Sequence, residues 1–208
     1  NFIFSVREFN DQPVITEFGK NNKINIIQDS PLYYDLKPIF FDKDDNKLEF
    51  EIESGPEWMI LDEETSTLFG TPRNKNVGNS SVIISANDRR GGEIKTNIDI
   101  SVVNINDAPS IANNIIIPEQ NQDMNFDFMI PLNAFEDIDM QISDNEQLSY
   151  SLYDLNGVEI SNEFLSLDIE SSMLSIRPKQ INVGSGQYKI RATDSDGLYA
   201  EQSITINV

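Results

Sequence analysis

The chain of 208 residues carries 35 acidic against 15 basic side chains, a formal net charge of −20, with 38% hydrophobic residues and neither cysteine nor histidine. That composition supports packed cores but excludes disulfides, thiolate and imidazole metal ligands and a Ser-His-Asp triad, and its charge repels phosphate backbones and anionic lipid surfaces. No run reaches the ~20 apolar residues of a membrane span, so neither membrane insertion nor nucleic-acid binding is expected, and cations are the natural partners.

Residues 1–8 alternate Phe2, Phe4 and Val6 with Ile3 and Ser5, the two-residue period of a half-buried strand, and run into Asn10-Asp11-Gln12-Pro13. The same grammar returns where Ile98, Ile100 and Val102 lead to Asn106-Asp107-Ala108-Pro109, and Ile204, Ile206 and Val208 close the chain in phase. The chain therefore reads as a tandem repeat: residues 1–8 as the last strand of a preceding repeat, 9–104 as a first repeat, and 105–208 as a second.

In the first repeat, β-branched and aromatic residues predict strands at 14–18, 24–28 and 32–36, broken by Gly19, Asp29-Ser30-Pro31 and Pro38. An acidic turn follows at Phe40-Phe41-Asp42-Lys43-Asp44, and then a clean alternation over 48–52 with Leu48, Phe50 and Ile52 facing inward. Residues 56–72 read as a hairpin turning at Asp62 and closing on Gly70-Thr71-Pro72, and Trp58 is placed in or near the core. Strands at 82–86 and 93–103 flank Asn87-Asp88-Arg89-Arg90-Gly91-Gly92, where the two arginines are expected to be solvated or paired with neighbouring acids.

The second repeat predicts early strands at 115–117 and 126–132, then Phe135-Glu136-Asp137-Ile138-Asp139 and a strand over 148–152. From there a constant displacement of 106 residues places Phe164 on Trp58, Leu174 on Leu68 and Asp194 on Asp88. About seven short strands per repeat, with no helical period, specify an all-β chain of two Greek-key sandwiches of the immunoglobulin class.

Three acidic features recur at strand ends: Asn10-Asp11 and Asn106-Asp107, the Asp-x-Asp pairs Asp42/Asp44 and Asp137/Asp139, and Asp88 and Asp194. Alternate loops of a sandwich gather at one pole, and carboxylates crowded there repel one another unless a cation compensates. Ca²⁺ is the expected cofactor, because it accepts six to eight mixed oxygen donors where Mg²⁺ demands stricter geometry. These ten residues are the candidate metal ligands, with one ion at the N-terminal pole of each repeat. Single motifs of this kind are also ordinary turn formers, and it is their joint recurrence that points to a metal.

Asn-Asp-Ala-Pro between repeats, Phe-x-Asp-x-Asp before a strand, Trp58-x-x-Leu61-Asp62 with Thr65, Leu68 and Gly70-Thr71-Pro72, and Ala-x-Asp before the last strand resemble dystroglycan-type cadherin-like repeats. The resemblance implies tandem extracellular cadherin-like sandwiches in an elongated arrangement, calcium at the junctions, and roles in adhesion or surface architecture. The second repeat departs from it: Phe164 replaces the tryptophan and Ser175-Ile176-Arg177-Pro178 the Gly-Thr-Pro turn, so a different hairpin is open there. Glu8 could serve at the first linker, but Asn104 stands in its place at the second, which favours one ion per junction over several.

The expected function is a non-enzymatic structural or adhesive segment of a larger extracellular or cell-surface protein, stiffened by Ca²⁺ and partnered by neighbouring repeats of the same protein. Other copies, surface proteins and glycans are the further partners considered. The alternatives are a filament subunit assembled through the N-terminal strand and a glycan- or peptide-binding adhesin module. Acid pairs suited to glycoside hydrolysis recur in both repeats and not in one cleft, which argues against an enzyme. Asn79-Ser80-Ser81 is a glycosylation sequon on an expected loop.

Overall fold

The computed structural model describes residues 9–44, 47–142 and 147–208, and the expectations for residues 1–8, Glu8 among them, lie outside these. The chain divides into two compact units, the first ending at Ile105 and the second beginning at Asn106. Both are all-β, with short 3-10 turns as the only helical structure among the described residues. No helix among them is long and apolar enough to cross a membrane.

Unit 1 contains β1 (Val14–Ile15), β2 (Lys23–Ile27), β3 (Leu32–Asp35), β4 (Phe40–Phe41), β5 (Glu49–Ser54), β6 (Met59–Asp62), β7 (Thr67–Gly70), β8 (Gly78–Asn87) and β9 (Glu93–Val103). They form a four-stranded sheet in the order β2-β9-β8-β5, a three-stranded sheet β3-β7-β6 and the pair β1-β4. Alternation places Ile24, Ile84, Ile98, Ile100 and Val102 from the first sheet and Leu32, Met59 and Leu68 from the second in one buried cluster. Trp58, Phe50 and Ile52 pack against it partly buried, so the strand expected over 48–52 lies on the border of the core.

Unit 2 contains β10 (Ser110–Ile111), β11 (Phe126–Met129), β12 (Phe135–Glu136), β13 (Ser149–Tyr153), β14 (Leu165–Asp168), β15 (Met173–Ile176), β16 (Ser185–Thr193) and β17 (Tyr199–Asn207). Its sheets are β13-β16-β17, β11-β15-β14 and β10-β12. Phe164 packs against this core as Trp58 does against the other. The β14-β15 hairpin keeps the register of β6-β7, with Leu165 opposite Ile176 as Met59 is opposite Gly70, so the altered turn leaves the hairpin unchanged.

Two expectations are corrected. Residues 115–117 form no strand, although Ile115 and Ile117 are buried. In unit 1 the corresponding strand, β2, pairs in parallel with β9 along five residues. In unit 2 a side chain replaces that ladder: Gln202 accepts from the Ile115 N–H and its amide donates to the Asn113 carbonyl at 2.9 Å. The strand expected over 14–18 stops at Ile15, because the chain turns into a short 3-10 helix at Gly19–Asn21.

Candidate functional site

In unit 1 the Asp44 N–H donates to Asp42 Oδ1 at 2.7 Å, closing the Asp-x-Asp turn behind β4. The lead-in segment joins it there, since the Asp11 N–H donates to Asp44 Oδ2 at 2.6 Å. Next to it the Asn10 amide donates to Asp88 Oδ2 at 2.7 Å. Asp88 Oδ1 accepts the N–H groups of Arg90 at 2.7 Å and Gly92 at 2.8 Å, which shapes the β8-β9 turn around the carboxylate. Gly92 is required for this fit: a Cβ at that position would run into Asp88 Oδ2.

Unit 2 repeats the arrangement residue for residue. The Asp139 N–H donates to Asp137 Oδ1 at 2.9 Å, and the Asp107 N–H to Asp139 Oδ2 at 2.7 Å. The Asn106 amide donates to Asp194 Oδ2 at 2.8 Å, while Asp194 Oδ1 accepts the N–H groups of Asp196 at 3.0 Å and Leu198 at 2.8 Å. The ten candidate residues thus fall into two copies of one network, in which a lead-in Asn-Asp is fastened to an Asp-x-Asp turn and to an aspartate in the last hairpin. The fastening is by direct hydrogen bonds from an amide and a backbone N–H, where the sequence suggested approach through a shared cation.

Burial makes these acids unusual. Asp42, Asp88, Asp137, Asp139 and Asp194 are all buried, at 6% exposure or less. Carboxylates so placed require hydrogen bonds or compensating charge. Desolvation pushes the Asp88 carboxyl up, yet the hydrogen bonds from Asn10, Arg90 and Gly92 with the nearby Arg90 charge bring it below the ordinary carboxylate value.

The two poles differ in their cations, of which the sequence marked only the two arginines. Lys43, between the two aspartates of its pair, places Nζ 3.1 Å from Asp11 Oδ2, and this hydrogen bond raises the ammonium pKa. Ile138 takes the same place in unit 2, and Ser195-Asp196 follow Asp194 where Arg89-Arg90 follow Asp88. Arg89 itself pairs with Glu49 at 2.5 Å.

As a donor set for a metal, both poles offer oxygen alone, the chemistry that suits Ca²⁺. The buried Asn10 Oδ1 has no hydrogen-bond partner among the described residues and could serve as a neutral ligand. Among the described residues no group of three or more acidic side chains lies close enough to share one ion, so amide and backbone oxygens would have to complete a coordination shell.

A second polar cluster, also unmarked in the sequence reading, lies on the outer face of β13-β16-β17. The Arg191 guanidinium sits 4.1 Å from the Tyr153 ring centroid and 4.0 Å from that of Tyr199, and bonds Glu201 at 2.7 Å. Register would have found it, because these residues occupy neighbouring positions on three paired strands. Asn79 is exposed as expected, but it stands in β8 opposite Ser101 and not in a loop.

The model of the family described as Alpha-Dystroglycan third Ig-like domain matches residues 105–208, half of the chain. The chain belongs to this dystroglycan Ig-like family. A second model, for the He_PIG family of Ig domains, matches residues 12–103, so both units of this dystroglycan-type chain have an Ig-like match. No curated protein sequence matches it. Among solved structures, Protocadherin Gamma B7 extracellular cadherin domains 1-4 align over 95% of this chain and 49% of their own, at 18% identity and a TM-score of 0.66. Drosophila N-cadherin EC1-4 aligns over 95% and 49%, at 13% identity and a TM-score of 0.64. Mouse Cadherin-23 EC22-24 aligns over 95% and 64%, at 18% identity and a TM-score of 0.62. At these identities the likeness establishes the cadherin-like fold. The chain spans between 49% and 64% of the length of these cadherin structures, and 29% of that of an endo-fucoidan hydrolase whose TM-score of 0.42 carries no argument.

Proposed function

We propose that this chain is a non-enzymatic structural and adhesive segment of an extracellular or cell-surface repeat protein, in which Ca²⁺ at the N-terminal pole of each sandwich rigidifies the path into that sandwich. The observation that carries the reading is the recurrence of one buried acidic network in both units, each fastening its own lead-in Asn-Asp to two loops of the pole. A catalytic site has no reason to recur in this way, whereas a mechanical joint does. The dystroglycan-type family and the cadherin-like fold agree with such a role.

The ligands would be drawn from Asn10, Asp11, Asp42, Asp44 and Asp88 in unit 1, and from Asn106, Asp107, Asp137, Asp139 and Asp194 in unit 2, with no more than two of the acids on one ion and amide and backbone oxygens completing its shell. Ca²⁺ would supply positive charge to carboxylates already withdrawn from water, and the side chains would supply hard oxygen ligands. Calorimetric titration of the whole chain with Ca²⁺, together with melting in Ca²⁺ and in EGTA, tests the reading. Heat of binding and a higher melting temperature in Ca²⁺ are expected. Absence of both at millimolar Ca²⁺ would sink the metal claim.

A further inference from the structure

The two units differ at one sheet edge. In unit 2 the chain leaves β13, turns through Asp154-Leu155-Asn156-Gly157 and comes back along the strand it has just left. The Asp154 N–H donates to the Val158 carbonyl at 2.9 Å, Glu159 bridges to Tyr153, and the Ile160 N–H donates to the Leu152 carbonyl at 2.7 Å. Ile160 packs against the core. The returning segment therefore acts as a short extra strand that covers the edge of β13 and closes that side of the sandwich.

Unit 1 has no such cover among the described residues. Residues 55–58 connect β5 to the hairpin where residues 154–164 make the connection in unit 2, too short a stretch to fold back. Ile52 pairs with Ile84 as Leu152 pairs with Ile190, so the two edges share a register up to this residue; beyond it β5 is bulged, with Ser54 opposite Ile83 where Tyr153 is opposite Lys189. β5 is the outermost strand of its sheet and β6 of the facing one. A groove of about 700 Å³ runs beside β5, lined by the half-buried Phe50, Ile52 and Leu61 and the exposed Glu51 and Glu63, and continues across β8 and β9 to Asn87 and Lys95. Neither of these two glutamates makes an ion pair among the described residues, whereas Glu49 and Glu53 pair with Arg89 and Lys95.

We infer that the edge of β5 and this groove form a docking surface for an extended segment of a partner protein, one that alternates aliphatic and basic residues. Its backbone adds to β5 ahead of the bulge, as Ile160 adds to Leu152 on β13, an aliphatic side chain takes the place of Ile160 over Phe50, Ile52 and Leu61, and basic side chains face Glu51 and Glu63. The repeat itself supplies the template for the fit. Charge chooses the occupant: the rim acids, in a chain of net charge −20, repel a second copy and attract a basic segment.

The test uses the whole chain and a fluorescein-labelled peptide of about eight residues alternating lysine and isoleucine, an extended segment of the proposed chemistry. Saturable binding is expected, with amide shift changes confined to β5 and Leu61–Glu63 and none on β13. The double variant Glu51→Lys/Glu63→Lys should weaken binding by roughly tenfold, since two opposite-charge contacts become repulsive. Methylating the peptide nitrogens that face β5 should abolish binding, because strand addition depends on backbone donors. No binding, or binding indifferent to methylation, would overturn the inference. So would sedimentation showing that the chain itself dimerises through β5, which would make a second copy the occupant.

Discussion

Replacing Asp194 with alanine isolates what the polar network contributes before any metal is considered. The Asp194 carboxylate, 6% exposed, receives the Asn106 amide at 2.8 Å and the N–H groups of Asp196 and Leu198 at 3.0 and 2.8 Å. A hydrogen bond to a charged group contributes roughly 1.5–3 kcal/mol, and the two turn N–H groups regain water in part, so a loss of about 3 kcal/mol is expected in EDTA. For a unit of this size that lowers the melting temperature by roughly 10–20 °C. The chain provides its own control, because Trp58, the only tryptophan, lies in unit 1. Urea unfolding followed by tryptophan fluorescence should be unchanged, while the circular dichroism transition of unit 2 moves to lower urea. A loss below about 1 kcal/mol, or an equal shift of the tryptophan transition, would refute the assignment of Asp194 as the anchor of the unit 2 pole.

Lys43→Ile gives the first pole the residue of the second and removes the ammonium 3.1 Å from Asp11, so calorimetry should show tighter Ca²⁺ binding by unit 1, with Ile138→Lys weakening unit 2 in return. Gly70→Ala should cost about 3 kcal/mol in the tryptophan-monitored transition, because the new Cβ would run into the Trp58 carbonyl oxygen at a φ of +154°. Because the Asp88 carboxyl is held below its ordinary value, its contribution is present above the unfolded pKa of about 3.9 and is lost as pH falls through the folded value. The urea midpoint of unit 1 should therefore hold steady from neutral pH to about pH 5 and then fall, less steeply in Asp88→Ala.

Much of the pole was legible because its residues are polar, short and tied to turns, and such residues advertise themselves at fixed offsets from strands. Asp42, Asp88, Asp137 and Asp194 could each be placed at a strand end from the alternation beside them. How the lead-in residues reach them was not legible. An asparagine offers both a donor and an acceptor, and only the fold decides that Asn10 and Asn106 turn their amides to the carboxylates. Lys43 was read as one member of an acidic turn, because its role depends on Asp11, distant in sequence and brought near by folding.

The edge strands show the same division between local and non-local information. The alternation of Ile115 and Ile117 reads as a strand, and burial of both honours the pattern, yet the backbone there follows another path because Gln202 supplies the hydrogen bonds that a neighbouring ladder would. Period reports which side chains face the core and is silent on what satisfies the backbone. The same holds for the longer connection of the second repeat. By its sequence it is an extended loop, and it becomes a strand cover only because Ile160 finds the space between two sheet edges. Where the first repeat lacks those residues the space persists, and a sheet edge beside a groove of acidic and half-buried apolar side chains is a surface that another chain can complete.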